Sequence, residues 1–260
     1  MSTTSPILDH PRITSRYFFP RSTATPEPAF PVTAADGSTL ACVWHAPHPH
    51  GRTMVHFHGN GEVVSDWCGG GFARWWVNQG WNVCFAEYRG YGASTGSPAL
   101  AAMLDDVEAI AEALGLPDEQ VVVFGRSVGS IYAIEWAARR PGIAGLILES
   151  GIASPLERIL LRVHPSELGV QPEALEAEAA RLLDHRAKLG RTTCPLLVLH
   201  AAGDDLVTPD HAQRNHGWAN STMKELILFE AGDHNSILVA NLEQYTQAVG
   251  RFLRQLMTSH

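Results

Sequence analysis

Several things this 260-residue chain lacks narrow its function before any motif is read. The first thirty residues hold no continuous apolar stretch of the kind a secretion signal or membrane anchor requires. They carry Asp9, Arg12 and Arg16 among several prolines, so a cytoplasmic location is expected. Positive charge is in deficit. Nineteen Lys and Arg against 27 Asp and Glu give a formal net charge of -8, which argues against a nucleic-acid partner and against anionic membrane surfaces and favours a neutral or small organic substrate. Cysteine is sparse: Cys42, Cys68, Cys84 and Cys194 are far apart, none in a Cys-x-x-Cys pair, so buried thiols are expected rather than disulfides or a zinc site. No lysine follows a glycine-rich loop, and Gly59-Asn60-Gly61 lacks the third glycine of a dinucleotide fingerprint. No cofactor is expected.

What the chain does have is one domain's worth of alternating strand and helix signals. Residues 1–29, rich in Pro, Ser and Thr, read as an irregular extension over the surface, and residues 30–260 as the folded domain. Two short runs around the Asp36-Gly37 turn, the second from Leu40 to His45, predict an antiparallel hairpin at a sheet edge. Then come short apolar runs without clean alternation, as in strands buried on both faces: Thr53 to Phe57, Asn82 to Ala86, Val121 to Phe124, Gly145 to Leu148, Leu196 to Leu199 and Glu225 to Phe229. Helix-length segments separate them, namely Phe72 to Gln79, Leu100 to Leu114, Ser130 to Arg140, Pro209 to Trp218 and, last, Ser236 to Met257. The alternation predicts an α/β fold, a mainly parallel sheet of about eight strands with helices on both faces. Residues 151–191 break the rhythm. With no strand signal and a helix-forming stretch from Pro172 to Leu189, they read as a small helical insertion above the carboxyl ends of the sheet, either a cap over a site or a surface hairpin.

Gly125-Arg126-Ser127-Val128-Gly129 sits between the Val121 to Phe124 strand and the following helix. A strand turning abruptly into a helix holds its corner residue in a strained conformation with the side chain exposed, and flanking glycines remove the Cβ atoms that would collide there. Ser127 is thus a candidate nucleophile. Gly92-Ala93-Ser94-Thr95-Gly96 fits the same pattern, but five residues separate it from Ala86 and Pro98 follows closely, so Ser94 reads as a loop or cap residue. Three other motifs flank the elbow: His58-Gly59-Asn60-Gly61, Tyr88-Arg89-Gly90-Tyr91-Gly92 after Glu87, and Gly232-Asp233-His234-Asn235.

Together, in this order over about residues 30 to 257, these four motifs resemble the α/β-hydrolase superfamily, and within it serine esterases of the ABHD and bacterial lysophospholipase-like types with a short cap. The resemblance implies the chain order nucleophile, acid, histidine. Ser127 is then followed by Asp204 or Asp205 and by His234. Asp204 is preferred because His200 and Val207 stand at the spacings relatives show, although Ala201 replaces a usual glycine; Asp205 and Glu149 remain alternatives. The oxyanion hole is expected from the backbone amides of Val128 and Asn60, with Gly61 as the neighbouring choice, and His58 is expected to organise that loop without acting as a base.

Chemically, a serine hydroxyl needs a base to take its proton and an acid to steady the imidazolium. Of thirteen histidines, His234 alone follows a strand and precedes a helix beyond both aspartates, whereas His211 and His216 fall in an expected surface helix and His260 ends the sequence. His45, His48, His50, His56 and His58 invite a metal reading. It is the minor one, since prolines alternate with His48 and His50 and no carboxylate or thiol accompanies them at ligand spacing. The expected activity is hydrolysis of carboxylic esters with short to medium acyl chains through an acyl-enzyme. Thioesterase, lysophospholipase, amidase or peptidase, lyase and perhydrolase chemistry share the same machinery, and a non-catalytic binding protein shares the fold. Leu156, Ile159, Leu160 and Val163, at helical spacing in the insertion, either line an acyl pocket or pack the insertion onto the body.

Overall fold

The computed structural model describes residues 3–258. Eight strands form one sheet: β1 (Ala29–Thr33), β2 (Thr39–His45), β3 (Thr53–Phe57), β4 (Asn82–Ala86), β5 (Val121–Arg126), β6 (Gly145–Glu149), β7 (Leu196–Ala201) and β8 (Lys224–Phe229). Their spatial order is β1-β2-β4-β3-β5-β6-β7-β8. β1 and β2 form an antiparallel edge hairpin, β2 meets β4 antiparallel, and every later pairing is parallel. The helices are α1 (Pro11–Tyr17), α2 (Ser65–Cys68), α3 (Gly71–Asn78), α4 (Met103–Leu114), α5 (Gly129–Arg139), α6 (Pro155–Leu160), α7 (Pro172–Leu182), α8 (His185–Arg191), α9 (Pro209–Trp218), α10 (Ile237–Ala240) and α11 (Leu242–Thr258).

The lack of alternation in the central strands has its reason in two cores, one on each face. Val55, Phe57, Val121, Val123, Leu146 and Leu148 pack with α4 and α5 residues such as Val107, Ile131 and Tyr132. Their neighbours Met54, Val83, Phe85, Val122, Phe124 and Ile147 pack with Trp76 of α3 and with Val249 and Phe252 of α11. Apolar side chains on either face of the central strands therefore find apolar partners. All four cysteines are buried and unpaired, and burial pushes the Cys42 and Cys194 thiols up to about 12. Among the described residues no helix is long and apolar enough to cross a membrane.

Three expectations need correction. Residues 1–29 are not uniformly irregular: α1 starts at Pro11, the first-turn position proline favours, with the His10 ring accepting from the Arg12 amide. Leu8, Ile13, Tyr17 and Phe18 are buried in the core shared with α4 and α5, so apolar burial holds the segment against the domain. The last helix is not continuous; it breaks at Asn241, whose side chain donates to the Ala231 and Ile237 carbonyls at 2.9 Å each. The stretch from Pro172 to Leu189 is likewise two helices, because Asp184 caps α8 by accepting from the Ala187 amide at 2.9 Å.

Candidate active site

Ser127 stands in the corner between β5 and α5 with φ of 51°, a left-handed backbone in a residue that carries a Cβ. Such a conformation costs roughly 1–3 kcal/mol and persists only where the surroundings enforce it. They do so through close approach. An ideal Cβ on Gly125 would stand 2.6 Å from the Ala133 Cβ and 2.7 Å from the Gly129 carbonyl, and one on Gly129 only 2.1 Å from the Phe57 carbonyl oxygen. The Ser127 amide donates to the Glu149 carbonyl at 2.8 Å, and Ser130 Oγ donates to the Ser127 carbonyl at 2.6 Å, fastening both sides of the corner.

The loops after β7 and β8 deliver the partners. His234 Nε2 lies 2.9 Å from Ser127 Oγ, and His234 Nδ1 lies 2.7 Å from Asp204 Oδ2. Asp204 is buried and its Oδ1 accepts from the Leu206 and Val207 amides at 3.0 and 2.8 Å, while Asp205 is exposed. Burial works against the Asp204 carboxylate, yet hydrogen bonds from His200 and His234 outweigh it and hold its pKa below the usual carboxylate range. His200 Nε2 sits 3.3 Å from Asp204 and 2.7 Å from the Val207 carbonyl, a structural clamp on the turn.

On the other side, the His58 to Gly61 loop faces the elbow. Its neighbour Glu62 accepts from the Gly59 amide at 2.6 Å. The Asn60 side chain is committed elsewhere: its amide donates to the Tyr17 carbonyl, and its oxygen accepts from the Phe19 amide at 3.0 Å and the Tyr91 hydroxyl at 2.8 Å. The Asn60 and Val128 backbone N–H groups donate to no backbone oxygen among the described residues, and both residues line the cavity that holds Ser127. His58 is buried with Nε2 at 2.7 Å from Glu87 and Nδ1 at 2.8 Å from the Gly59 carbonyl. Burial lowers its pKa, but Glu87 and the Gly59 carbonyl outweigh that and raise it.

Sequence reading missed Arg126. Its guanidinium makes ionic contacts of 2.7 Å to Glu62 and 3.0 Å to Glu149 and donates to the His234 carbonyl at 2.9 Å, tying the end of β6 to the loops that carry Glu62 and His234. As a variable position of the elbow pentapeptide it gave no sequence signal beyond its charge. Glu149, an alternative acid, is occupied here by Arg126 and by the Tyr245 hydroxyl rather than hydrogen-bonded to His234; burial raises its pKa against the opposing pull of Arg126.

The other flagged residues lie apart. Ser94 Oγ accepts from the Ala41 amide of β2 at 2.8 Å. His56 is buried among Trp67, Phe72, Phe85 and Phe124, and His48 borders the Val77 carbonyl at 2.9 Å. His211 is not a surface residue; it is buried and its Nδ1 accepts from the Ala153 amide at the base of the insertion. His260 falls outside the described residues. In the insertion, Ile159 and Val163 are buried in the core and Leu160 is exposed. The apolar stripe thus packs the insertion down, and what the insertion gives the cavity wall is Ile152, Arg158 and Arg162. That cavity is about 210 Å³. A larger apolar groove of about 480 Å³, lined by Phe72, Trp75, Leu242 and Val249 among others, contains none of Ser127, Asp204 or His234.

Residues 48–168 match the family model described as serine aminopeptidase, S33. Over 235 residues the chain is 26% identical to human alpha/beta hydrolase domain-containing protein 17B, covering 87% of this chain and 75% of that protein. It is 28% identical over 215 residues to the uncharacterized protein YfhR of Escherichia coli K12, covering 78% and 71%. Among solved structures, an esterase of Pyrococcus furiosus superposes with a TM-score of 0.70 at 18% identity, covering 91% of this chain and 98% of the other. A monoacylglycerol lipase of Paleococcus ferrophilus gives 0.65 at 20%, covering 84% and 99%.

Proposed function

We propose that this chain, a member of the α/β-hydrolase superfamily, is a serine hydrolase that cleaves carboxylic esters. The observation that carries the reading is the continuous chain from Ser127 Oγ to His234 at 2.9 Å and from His234 to Asp204 at 2.7 Å. With Nδ1–H donating to Asp204, Nε2 is left free to accept the serine proton.

In the proposed cycle His234 takes that proton as Oγ bonds the ester carbonyl carbon. The carbonyl π electrons move to oxygen, where the Val128 and Asn60 amides receive the charge. Collapse breaks the carbon–alkoxide bond, and His234 returns the proton to the departing alcohol. A water then attacks the acyl-enzyme, its proton passing to His234 and on to Ser127 as the acid leaves. No step requires a metal or cofactor.

The same machinery reaches thioesters and amides, and the matched family model carries the name of aminopeptidases, so the leaving group is itself a variable. The test is hydrolysis of a nitrophenyl ester series alongside the matching thioesters and anilides. Esters are expected to turn over fastest, and Ser127→Ala is expected to lose on the order of 10⁴-fold or more in kcat. A Ser127→Ala protein with full activity contradicts the reading.

A further inference from the structure

The cavity around Ser127 has a wall unlike the rest of this acidic chain. It presents Arg126, Arg158 and Arg162 and not one aspartate or glutamate. Arg126 is matched by Glu62 and Glu149, but among the described residues no carboxylate lies within ion-pair distance of Arg158 or Arg162. Neighbouring charges that could have served are turned elsewhere: Glu157 to Arg214, and Glu167 to Arg16. Tyr17 lines the same cavity, and its hydroxyl is buried and has no hydrogen-bond partner. A buried hydroxyl without a partner costs free energy unless something that enters the site supplies one.

On the serine hydrolase reading above, we propose that the ester cleaved here carries an anionic group, a carboxylate or a phosphate, held by Arg158 and Arg162 with the Tyr17 hydroxyl as a further donor. Guanidinium forks match the oxygens of either anion, and such bonds are strongest where water is partly excluded. Phe19, over whose ring Arg162 lies at 5.2 Å, and Leu206 provide the apolar side of the mouth. The net charge of -8 would steer such a substrate away at long range, so the attraction is local to the cavity.

Paired substrates test this with the full chain. On the acyl side, nitrophenyl hemisuccinate is compared with its methyl ester; on the alcohol side, 1-butyrylglycerol 3-phosphate is compared with 1-butyrylglycerol. In at least one pair the anionic member is expected to have kcat/KM about 10-fold higher or more at low salt, and which pair shows it distinguishes carboxylate from phosphate. The ratio should fall toward one in the Arg158→Gln, Arg162→Gln double variant. In the unaltered protein, added salt should lower it too, a readout independent of how the variant folds. Equal or better turnover of both neutral members overturns the anion site while leaving the hydrolase reading intact, as does a ratio unmoved by both salt and the arginine changes. No hydrolysis of any of the four overturns both.

Discussion

Residues 92–96 and 125–129 share the pattern Gly-x-Ser-x-Gly and divide its labour in opposite ways. In the first, the glycines take the left-handed backbone, with φ of 56° at Gly92 and 79° at Gly96, and the serine between them does not. Ser94 consequently lies back against the sheet and caps the Ala41 amide. In the second, neither glycine needs positive φ; both make room for neighbouring backbone, and the strained residue is Ser127 itself. A glycine can serve a turn by bending or by being small. Only the second use leaves the strain on the serine and brings its hydroxyl to His234.

The largest effect after loss of Ser127 is expected from Gly129→Ala. The added Cβ would fall 2.1 Å from the Phe57 carbonyl oxygen and 2.7 Å from that of His58, and backbone cannot rotate out of the way. Urea unfolding should show a loss of about 2 kcal/mol or more, with ester hydrolysis falling as the His58 to Gly61 loop is displaced. At Gly96 the added Cβ would meet a side-chain hydroxyl, Ser38 Oγ at 2.5 Å, which can turn aside. Gly96→Ala should then cost only the left-handed backbone penalty of about 1–2 kcal/mol and spare kcat.

A subtler contrast comes from pH. His58, on the loop the elbow abuts, has a pKa raised above the ordinary imidazole value by Glu87 and the Gly59 carbonyl acting against burial. Its folded form binds a proton more tightly than its unfolded form, so its stabilising contribution is complete below about pH 6.5 and is lost as pH rises through the folded value. The stability deficit of His58→Gln, measured by urea unfolding, should therefore be larger at pH 5.5 than at pH 9. The reverse order would mean that His58 is neutral in its pocket.

The smallest effect belongs to Ser94→Ala. Removing one acceptor from the Ala41 amide should cost on the order of 1 kcal/mol, and kcat should stay within about 2-fold.

The strands and the order of the four motifs were legible because period and chain order are properties of the sequence itself. β3 and β4 fall at the limits their apolar runs predict, and Ser127, Asp204 and His234 stand at loop positions set by where strands end. What was hidden depends on contacts between distant segments. α1 is too short to hold by propensity and is ordered by burying Ile13 and Tyr17, although Pro11 and the i, i+4 spacing of those two residues were a usable signal. The contacts that fasten Ser127 and Ser94 reach Glu149 and Ala41, which neither pentapeptide contains. Arg126, Arg158 and Arg162 gain their meaning from what does or does not face them across the cavity, and a net charge averaged over the chain pointed the other way.

The central claim, that the two serines are not interchangeable, is most directly tested by reacting the protein with a fluorophosphonate and mapping the adduct by peptide mass spectrometry. The account predicts a single modified residue, Ser127, retained in Ser94→Ala and absent in Ser127→Ala. An adduct on Ser94, or no adduct on the folded protein, would contradict it.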